Sequence, residues 1–334
     1  MLRLNFDYHY FYIYMVTILV TGCAGFIGSH VCVLLLKKGF AVIGVDNFDP
    51  FYSRSAKEAN LAKFKDHPAF SFYEIDITTG LNAIESTDIK AVIHLAAKAG
   101  VRPSIEDPAG YLNVNIVGTQ KVHEFMQARK ITKLVFASSS SVYGNNKKMP
   151  FSEDDNVDNP ISPYAFTKKA CELMNYTFHQ LYKIDIINLR FFTVYGPGQR
   201  PDLAIHKFVE RISNDQPLVL FGDGETARDY TYIDDTVSGI FSALEYCLHN
   251  TGVYTIVNLG NNKPVKLKEL VDIIYAETGK EKNVVHEAMQ AGDVDVTFAD
   301  ITKAGDLLNY KPATDLRQGI KNFIAWYKDL NKQP

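Results

Sequence analysis

The chain is poor in the features that mark several protein classes. Only four cysteines occur in 334 residues, Cys23, Cys32, Cys171 and Cys247. Their spacing pairs none of them and matches no metal-ligand pattern, which excludes a disulfide framework or a zinc module and reads as reduced, mostly buried thiols of a cytoplasmic protein. Cys23, inside a glycine-spaced turn, is read simply as a small residue. Charge of neither sign dominates, since 35 Lys and Arg face 38 Asp and Glu for a formal net charge of −3. So balanced a surface gives no electrostatic basis for a nucleic acid or an anionic membrane, and any anion must be held by a few placed arginines. Internal repeats and low-complexity stretches are lacking too, and with them solenoids and disordered linkers.

The first fourteen residues, MLRLNFDYHYFYIY, precede a second methionine, Met15. They lack the clean apolar core and small-residue cleavage site of a signal peptide, and Asp7 and His9 interrupt them as a membrane span. Residues 1–14 are therefore expected to be an extension without a role.

What is present is enough apolar content, 46%, for a large core. Short apolar runs, TILVT, AVIGVD, FSFYEID, AVIHLAA, KLVFASS, DIINLRFF and later YTIVNLG, alternate with amphipathic helical stretches. That alternation predicts an α/β fold with a Rossmann-type doubly wound parallel sheet. Residues 15–190 are expected to form this dinucleotide-binding unit and to receive about 234–260. Loop density rises after Phe191, so 191–233 and 261–334 are expected to form a smaller mixed substrate domain that caps the carboxyl ends of the strands. The two long helical patterns, YLNVNIVGTQKVHEFMQARK and YAFTKKACELMNYTFHQLY, carry apolar stripes read as core plus a contact between two copies of the chain.

The stretch VTILVTGCAGFIGSH organises the rest. A β-branched run stops at Gly22, Gly25 and Gly28 and continues as a helix from about Phe26. The glycines allow a sharp turn, a close approach of backbone to a pyrophosphate, and tight helix packing, with the phosphates on the helix's free N–H groups. Asp46, ending AVIGVD, is expected to accept from the adenosine ribose hydroxyls, which selects NAD. A 2′-phosphate would meet that carboxylate, Asn47 and Phe48 bring no cation, and Arg54 lies too far along the chain. Asp76 ends the next run and either approaches the adenine or caps the following turn.

SPYAFTK places Tyr164 and Lys168 one helical turn apart. A phenol titrates near ~10, too high for a neutral-pH base, until a close ammonium and the positive nicotinamide ring stabilise the phenolate. Ser139, at the end of KLVFASSSSVYG, completes the set by orienting the reacting hydroxyl.

On these segments, together with HLAAKAGVRPSIEDP, LRFFTVYGP, QRPDLAIHKF, RDYTYIDD and QAGDVDVTFAD, the chain from Met15 to about Trp326 resembles the extended short-chain dehydrogenase/reductases. The G-x-x-G-x-x-G spacing is that superfamily's variant, and the match is to its nucleotide-sugar epimerase branch, nearest the UDP-glucuronate 4-epimerases. The resemblance implies cofactor contacts at Gly22, Gly25, Phe26, Ile27, Gly28, Asp46, Asn47, Asp76, Ile77, Leu95, Ala96, Ala97 and Lys98, with Tyr164 and Lys168 at the nicotinamide end. It implies substrate contacts at Arg102, Ser139, Ser140, Ser141, Tyr164, Thr193, Arg200, Phe221, Arg228, Gln290, Asp293 and Thr297. Ser140 and Ser141 stand where related dehydratases carry acids, which disfavours elimination of water. Arg200 is expected to hold a C6 carboxylate, or as the bland reading to bind phosphate or sit at the surface. Arg228 is assigned to the diphosphate, Phe221 to the uracil, Asp293 to the ribose, and Thr297 to making room for a sugar substituent. The implied partners are a UDP-sugar and a second copy of the chain. A UDP-glucose or other UDP-sugar 4-epimerase is the alternative, and a non-catalytic dinucleotide sensor is the alternative of another class.

Overall fold

The computed structural model describes residues 15–86, 88–288 and 296–330; the extension 1–14 lies outside them, as do Gln290 and Asp293. The first six strands are β1 (Thr17–Thr21), β2 (Ala41–Asp46), β3 (Phe70–Glu74), β4 (Ile89–His94), β5 (Lys133–Ser139) and β6 (Asp185–Phe191). They are followed by β7 (Thr193–Tyr195), β8 (Leu218–Phe221), β9 (Ala227–Tyr232), β10 (Tyr254–Leu259), β11 (Pro264–Lys266), β12 (Val284–Glu287) and β13 (Val296–Thr297). The helices are α1 (Phe26–Lys37), α2 (Arg54–Leu61), α3 (Val101–Glu106), α4 (Pro108–Tyr111), α5 (Gly118–Arg129), α6 (Pro163–Tyr182), α7 (Ala204–Ser213), α8 (Ile233–His249), α9 (Leu267–Thr278), α10 (Thr302–Leu308) and α11 (Leu316–Leu330).

The alternating apolar runs become a seven-stranded sheet in the order β10-β6-β5-β4-β1-β2-β3, with every pairing parallel. Both faces are covered, so these strands read as continuous apolar runs; β6 is buried at all seven positions. The period-two alternation of the strand sends Ile18 and Val20 to one layer, against Val31 and Leu35 of α1 and Ile240 and Leu244 of α8. Leu19 faces the other layer, with Val122 and Met126 of α5 and Cys171 and Phe178 of α6. All four cysteines are free and buried. A Cβ on Gly44 would come within 2.7 Å of the Cys23 sulfur, so a compact side chain is what that turn accommodates.

Beyond the sheet's carboxyl edge, β11-β9-β13 with β7 paired to β9, and the separate pair β8 and β12, build a smaller unit. Helix α8 then carries the chain back to the large sheet, where β10 lies beside β6.

One local difference from the helical reading occurs in 111–130. Between α4 and α5 the turn Leu112–Val117 is a π-helix. Within it the Asn115 carbonyl accepts from the Thr119 hydroxyl at 2.5 Å and the Cys171 thiol at 3.2 Å. Such turns concentrate at functional positions, and this one aims the Asn115 side chain at the β4 loop.

Candidate active site

A cleft of about 520 Å³ opens at the carboxyl ends of β1, β2, β4, β5 and β6, where strand order reverses on either side of β1. At its floor Gly22 has φ +73°, and a Cβ there would stand 2.8 Å from the Ala96 nitrogen; one on Gly28 would stand 2.0 Å from the Gly22 carbonyl oxygen. Gly25 caps α1 with no side-chain hydrogen bond, which leaves the helix's first N–H groups to a ligand. The Tyr52 hydroxyl, also lining the cleft, is buried without a partner and lies 4.0 Å from where a Cβ of Gly25 would be. A bare glycine cradle, an open helix terminus and an orphaned donor fit a dinucleotide diphosphate.

Gly22, Gly25, Phe26, Ile27, Gly28, Asp46, Asn47, Asp76, Ile77 and the wall Leu95, Ala96, Ala97 and Lys98 all line this cleft. Asp46 is pinned by the backbone N–H groups of Phe48 at 2.9 Å and Ala24 at 3.2 Å, with the Lys57 ammonium 3.9 Å away. Burial raises its pKa, against Lys57 and those N–H groups. Arg54 is committed elsewhere: it pairs with Glu58 and Glu74 and lies 4.2 Å from the centre of the Phe48 ring. Asp76 caps the following turn by accepting from the Thr78 N–H at 2.8 Å, takes Asn47 Nδ2 at 3.0 Å, and lines the cleft.

The wall is set by a residue sequence reading missed. Asn115, 2% exposed, accepts from the Lys98 N–H at 2.8 Å and donates to the Lys98 carbonyl at 3.0 Å and the Thr167 hydroxyl at 2.9 Å. The Lys98 ammonium pairs with Asp107 at 2.7 Å.

At the reacting end Ser162 caps α6 by accepting from the Ala165 N–H at 3.1 Å, with a proline opening the helix. This aims Tyr164 and Lys168 into the cleft beside Ser139, Ser140 and Ser141. The Lys168 ammonium donates to the Ala137 carbonyl at 2.7 Å and stands 6.0 Å from the Tyr164 ring centre; burial brings its pKa down to about 8. In the protein alone burial holds the Tyr164 pKa up, and the groups that oppose it are the Ser139 hydrogen bond and the charge of Arg200. Ser139 donates to the Ser141 hydroxyl at 3.1 Å. The carboxylates that line the cleft, Asp46, Asp49 and Asp76, stand at or beyond the ends of β2 and β3, and the β5 end offers hydroxyls only.

Behind this end lies a second unanticipated group. Glu172, two turns beyond Tyr164 on α6, accepts from the Ser138 hydroxyl at 2.6 Å and from Arg190 Nε and Nη2 at 2.9 Å each. Both charged residues are 1% exposed. The available signal was an arginine inside the apolar run DIINLRFF.

Thr193 and Arg200 also line the cleft. Arg200 is bound to Asp202 and lies 5.0 Å from the centre of the Phe51 ring. Arg102, Phe221, Arg228 and Thr297 do not line it. Arg102 is exposed on α3 beside cleft-lining Val101. Phe221 ends β8, and Arg228 of β9 sits in register with Thr297 of β13 and Val265 of β11. The smaller sheet thus brings Arg228 and Thr297 together, away from the dinucleotide cradle.

The GDP-mannose 4,6 dehydratase family model matches residues 19–323. A UDP-glucuronate 4-epimerase of Thermodesulfobacterium geofontis is 45% identical over 315 residues, covering 93% of this chain and 96% of that protein. UDP-glucuronate 4-epimerase 1 of Arabidopsis thaliana is 41% identical, with 93% and 76% covered. The crystal structure of UDP-glucuronic acid 4-epimerase from Bacillus cereus in complex with UDP-glucuronic acid and NAD superposes with a TM-score of 0.89 at 36% identity, covering 94% of this chain and all of that one. A UDP-glucose 4-epimerase from Thermotoga maritima with UDP-glucose gives 0.85 at 32%, with 95% and 100% covered.

Proposed function

The chain belongs to the GDP-mannose 4,6 dehydratase family, within its extended short-chain dehydrogenase/reductase epimerases, and from that premise we propose that it interconverts UDP-glucuronate and UDP-galacturonate by inverting C4 through a 4-keto sugar. The observation that carries the reaction class is the β5 end, where Ser139, Ser140 and Ser141 line the cleft with Tyr164 and the described cleft carboxylates, Asp46, Asp49 and Asp76, all belong to the β2 and β3 ends. Elimination of water needs an acid and base pair that hydroxyls of ordinary pKa do not supply. Inversion without loss of atoms needs a hydride acceptor that gives the hydride back and a proton relay, and no such acid and base pair.

Bound NAD supplies the hydride acceptor and later the donor. Tyr164 takes the proton from the sugar 4-hydroxyl and returns it, Ser139 orients that hydroxyl, and Lys168, fixed on the Ala137 carbonyl, contributes positive charge behind the tyrosine. Arg200 and Thr193 face the cleft where a C6 carboxylate is to be held, and an arginine fork suits a carboxylate better than a neutral hydroxymethyl. Arg228 and Phe221, with Gln290 and Asp293, are assigned to the nucleotide end, and Thr297 to making room for a sugar substituent.

The test is to give the purified protein UDP-glucuronate or UDP-glucose separately, with no added NAD, and to resolve the C4 epimers. UDP-galacturonate alone is the expected product. UDP-galactose alone would refute the Arg200 assignment, and no turnover even with NAD would leave a dinucleotide sensor.

The four buried, free thiols fit a reducing cytoplasm, and no described helix is long and apolar enough to cross a membrane. The outer faces of the π turn and α6 leave Leu112, Val117, Phe166, Leu173 and Tyr176 exposed, and we assign them to a second copy of the chain. Leu173→Glu is expected to convert a dimer to a monomer in sedimentation; an unchanged mass would reject this face.

A further inference from the structure

The Arg200 fork is already filled by the chain itself. Its Nε donates to Asp202 Oδ1 at 3.0 Å and its Nη2 to Asp202 Oδ2 at 2.9 Å, the two-pronged geometry that makes an arginine selective for a carboxylate. Nη2 also reaches the Ala99 carbonyl at 3.4 Å, and the guanidinium carbon lies 5.0 Å from the Phe51 ring centre. Among the described residues Nη1 has no hydrogen-bond partner.

We propose that Asp202 is a specificity-determining residue that stands in for the sugar's C6 carboxylate and competes with it for one edge of Arg200. This rests on the uronate reading above. The Arg200 side chain is 16% exposed and that of Asp202 32%. The arginine therefore needs a counter-charge when no sugar is present, and the aspartate has the freedom to leave without stranding its own charge. Asp202 also sits just before α7, whose N-cap, Leu203, offers no side-chain hydrogen bond. The positive end of that helix is thus at hand for a displaced carboxylate.

The competition matters because the 4-keto sugar must turn over between the two hydride transfers. A guanidinium with nothing else to bind would clamp the sugar carboxylate through both prongs and oppose that turn. With Asp202 on Nε and Nη2, the sugar carboxylate meets Nη1 first and exchanges with Asp202 for the other edge, so uronate is preferred over a neutral sugar without being immobilised.

The test uses NAD-loaded protein, calorimetric binding of UDP-glucuronate and UDP-glucose, and steady-state kinetics on the uronate. Asp202→Asn keeps the shape and removes the charge. It is expected to bind UDP-glucuronate about five- to tenfold more tightly and to lower kcat by a similar factor, while UDP-glucose binding is unchanged. On an Arg200→Ala background the same change is expected to have no effect. Weaker uronate binding in Asp202→Asn, or equal shifts for both sugars, would overturn the proposal, the second being what a merely structural role gives. Asp202→Glu, which keeps the charge, should retain the wild-type preference for uronate; loss of that preference would also count against the competition. Failure of the uronate reading shows separately, as a wild-type protein that prefers UDP-glucose before any substitution is made.

Discussion

The two ends of the cleft are built on different principles. At the reacting end Ser139, Tyr164 and Lys168 stand on a strand and on a helix with a capped start, and the charged groups behind them are shut from water: Lys168 is 4% exposed, and Glu172 and Arg190 1% each. At the end proposed above for the sugar, Phe51, Arg200 and Asp202 come from connections between elements, and the Arg200–Asp202 pair remains partly exposed. Chemistry that needs a fixed donor and acceptor geometry is held by regular structure and a second layer of hydrogen bonds. Recognition that must release and re-seat a sugar is held by loops. The two ion pairs, so alike as bidentate arginine–carboxylate forks, are therefore expected to respond in opposite ways to loss of their carboxylate.

The largest effect is expected at the buried fork. Glu172→Gln strands the Arg190 charge in the core, a loss on the order of 3–5 kcal/mol for one partner of a buried pair, read as a lower denaturant midpoint. It also has a sign in the pH profile. Burial depresses the Lys168 pKa to about 8, and the negative charge of Glu172 pulls it back up. Without that charge the pKa falls further and Lys168 loses its proton at lower pH. If the ammonium form is the active one, the alkaline limb of kcat against pH moves to lower pH in Glu172→Gln. A destabilised protein with an unmoved limb would make Glu172 a packing residue and erase the functional half of the contrast.

How far the sequence carries this picture depends on the range of the interactions. The glycine turn and the Tyr164/Lys168 pair are local patterns, spaced by three and four residues, and the strand runs are contiguous, so all were legible. Asn115 was not, because its task depends on a π turn and on Thr167, 52 residues away. Glu172 looked like a polar position on an amphipathic helix until Arg190 and Ser138 closed on it. The bond from the Lys168 ammonium to the Ala137 carbonyl was hidden for a related reason: helical spacing brings Tyr164 and Lys168 to one face without saying which carbonyl of β5 the ammonium meets. Arg200 was legible as a residue type in a motif, whereas its partnership with Asp202, two residues on, was not, since a short Asp–Arg spacing in a loop has no preferred geometry.

The smallest effect separates the loop half into structural and ligand-directed parts. The Tyr52 hydroxyl is buried with no partner, beside the cradle that Gly25 opens, and the Lys57 ammonium lies 4.8 Å from its ring centre. An unsatisfied buried donor burdens the protein unless a ligand accepts from it. Tyr52→Phe removes the hydroxyl and keeps the ring, so the NAD-free protein should be no less stable than the wild type. If the diphosphate is the missing acceptor, the variant should hold NAD less tightly by about 1 kcal/mol, roughly fivefold, in a fluorescence titration. Because the hydroxyl has no protein partner to lose, stability and cofactor affinity then move independently, which no substitution at the buried Glu172–Arg190 fork allows. Unchanged NAD affinity would instead assign Tyr52, through its ring and its neighbour Phe51, to shaping the loop on which Arg200 rests.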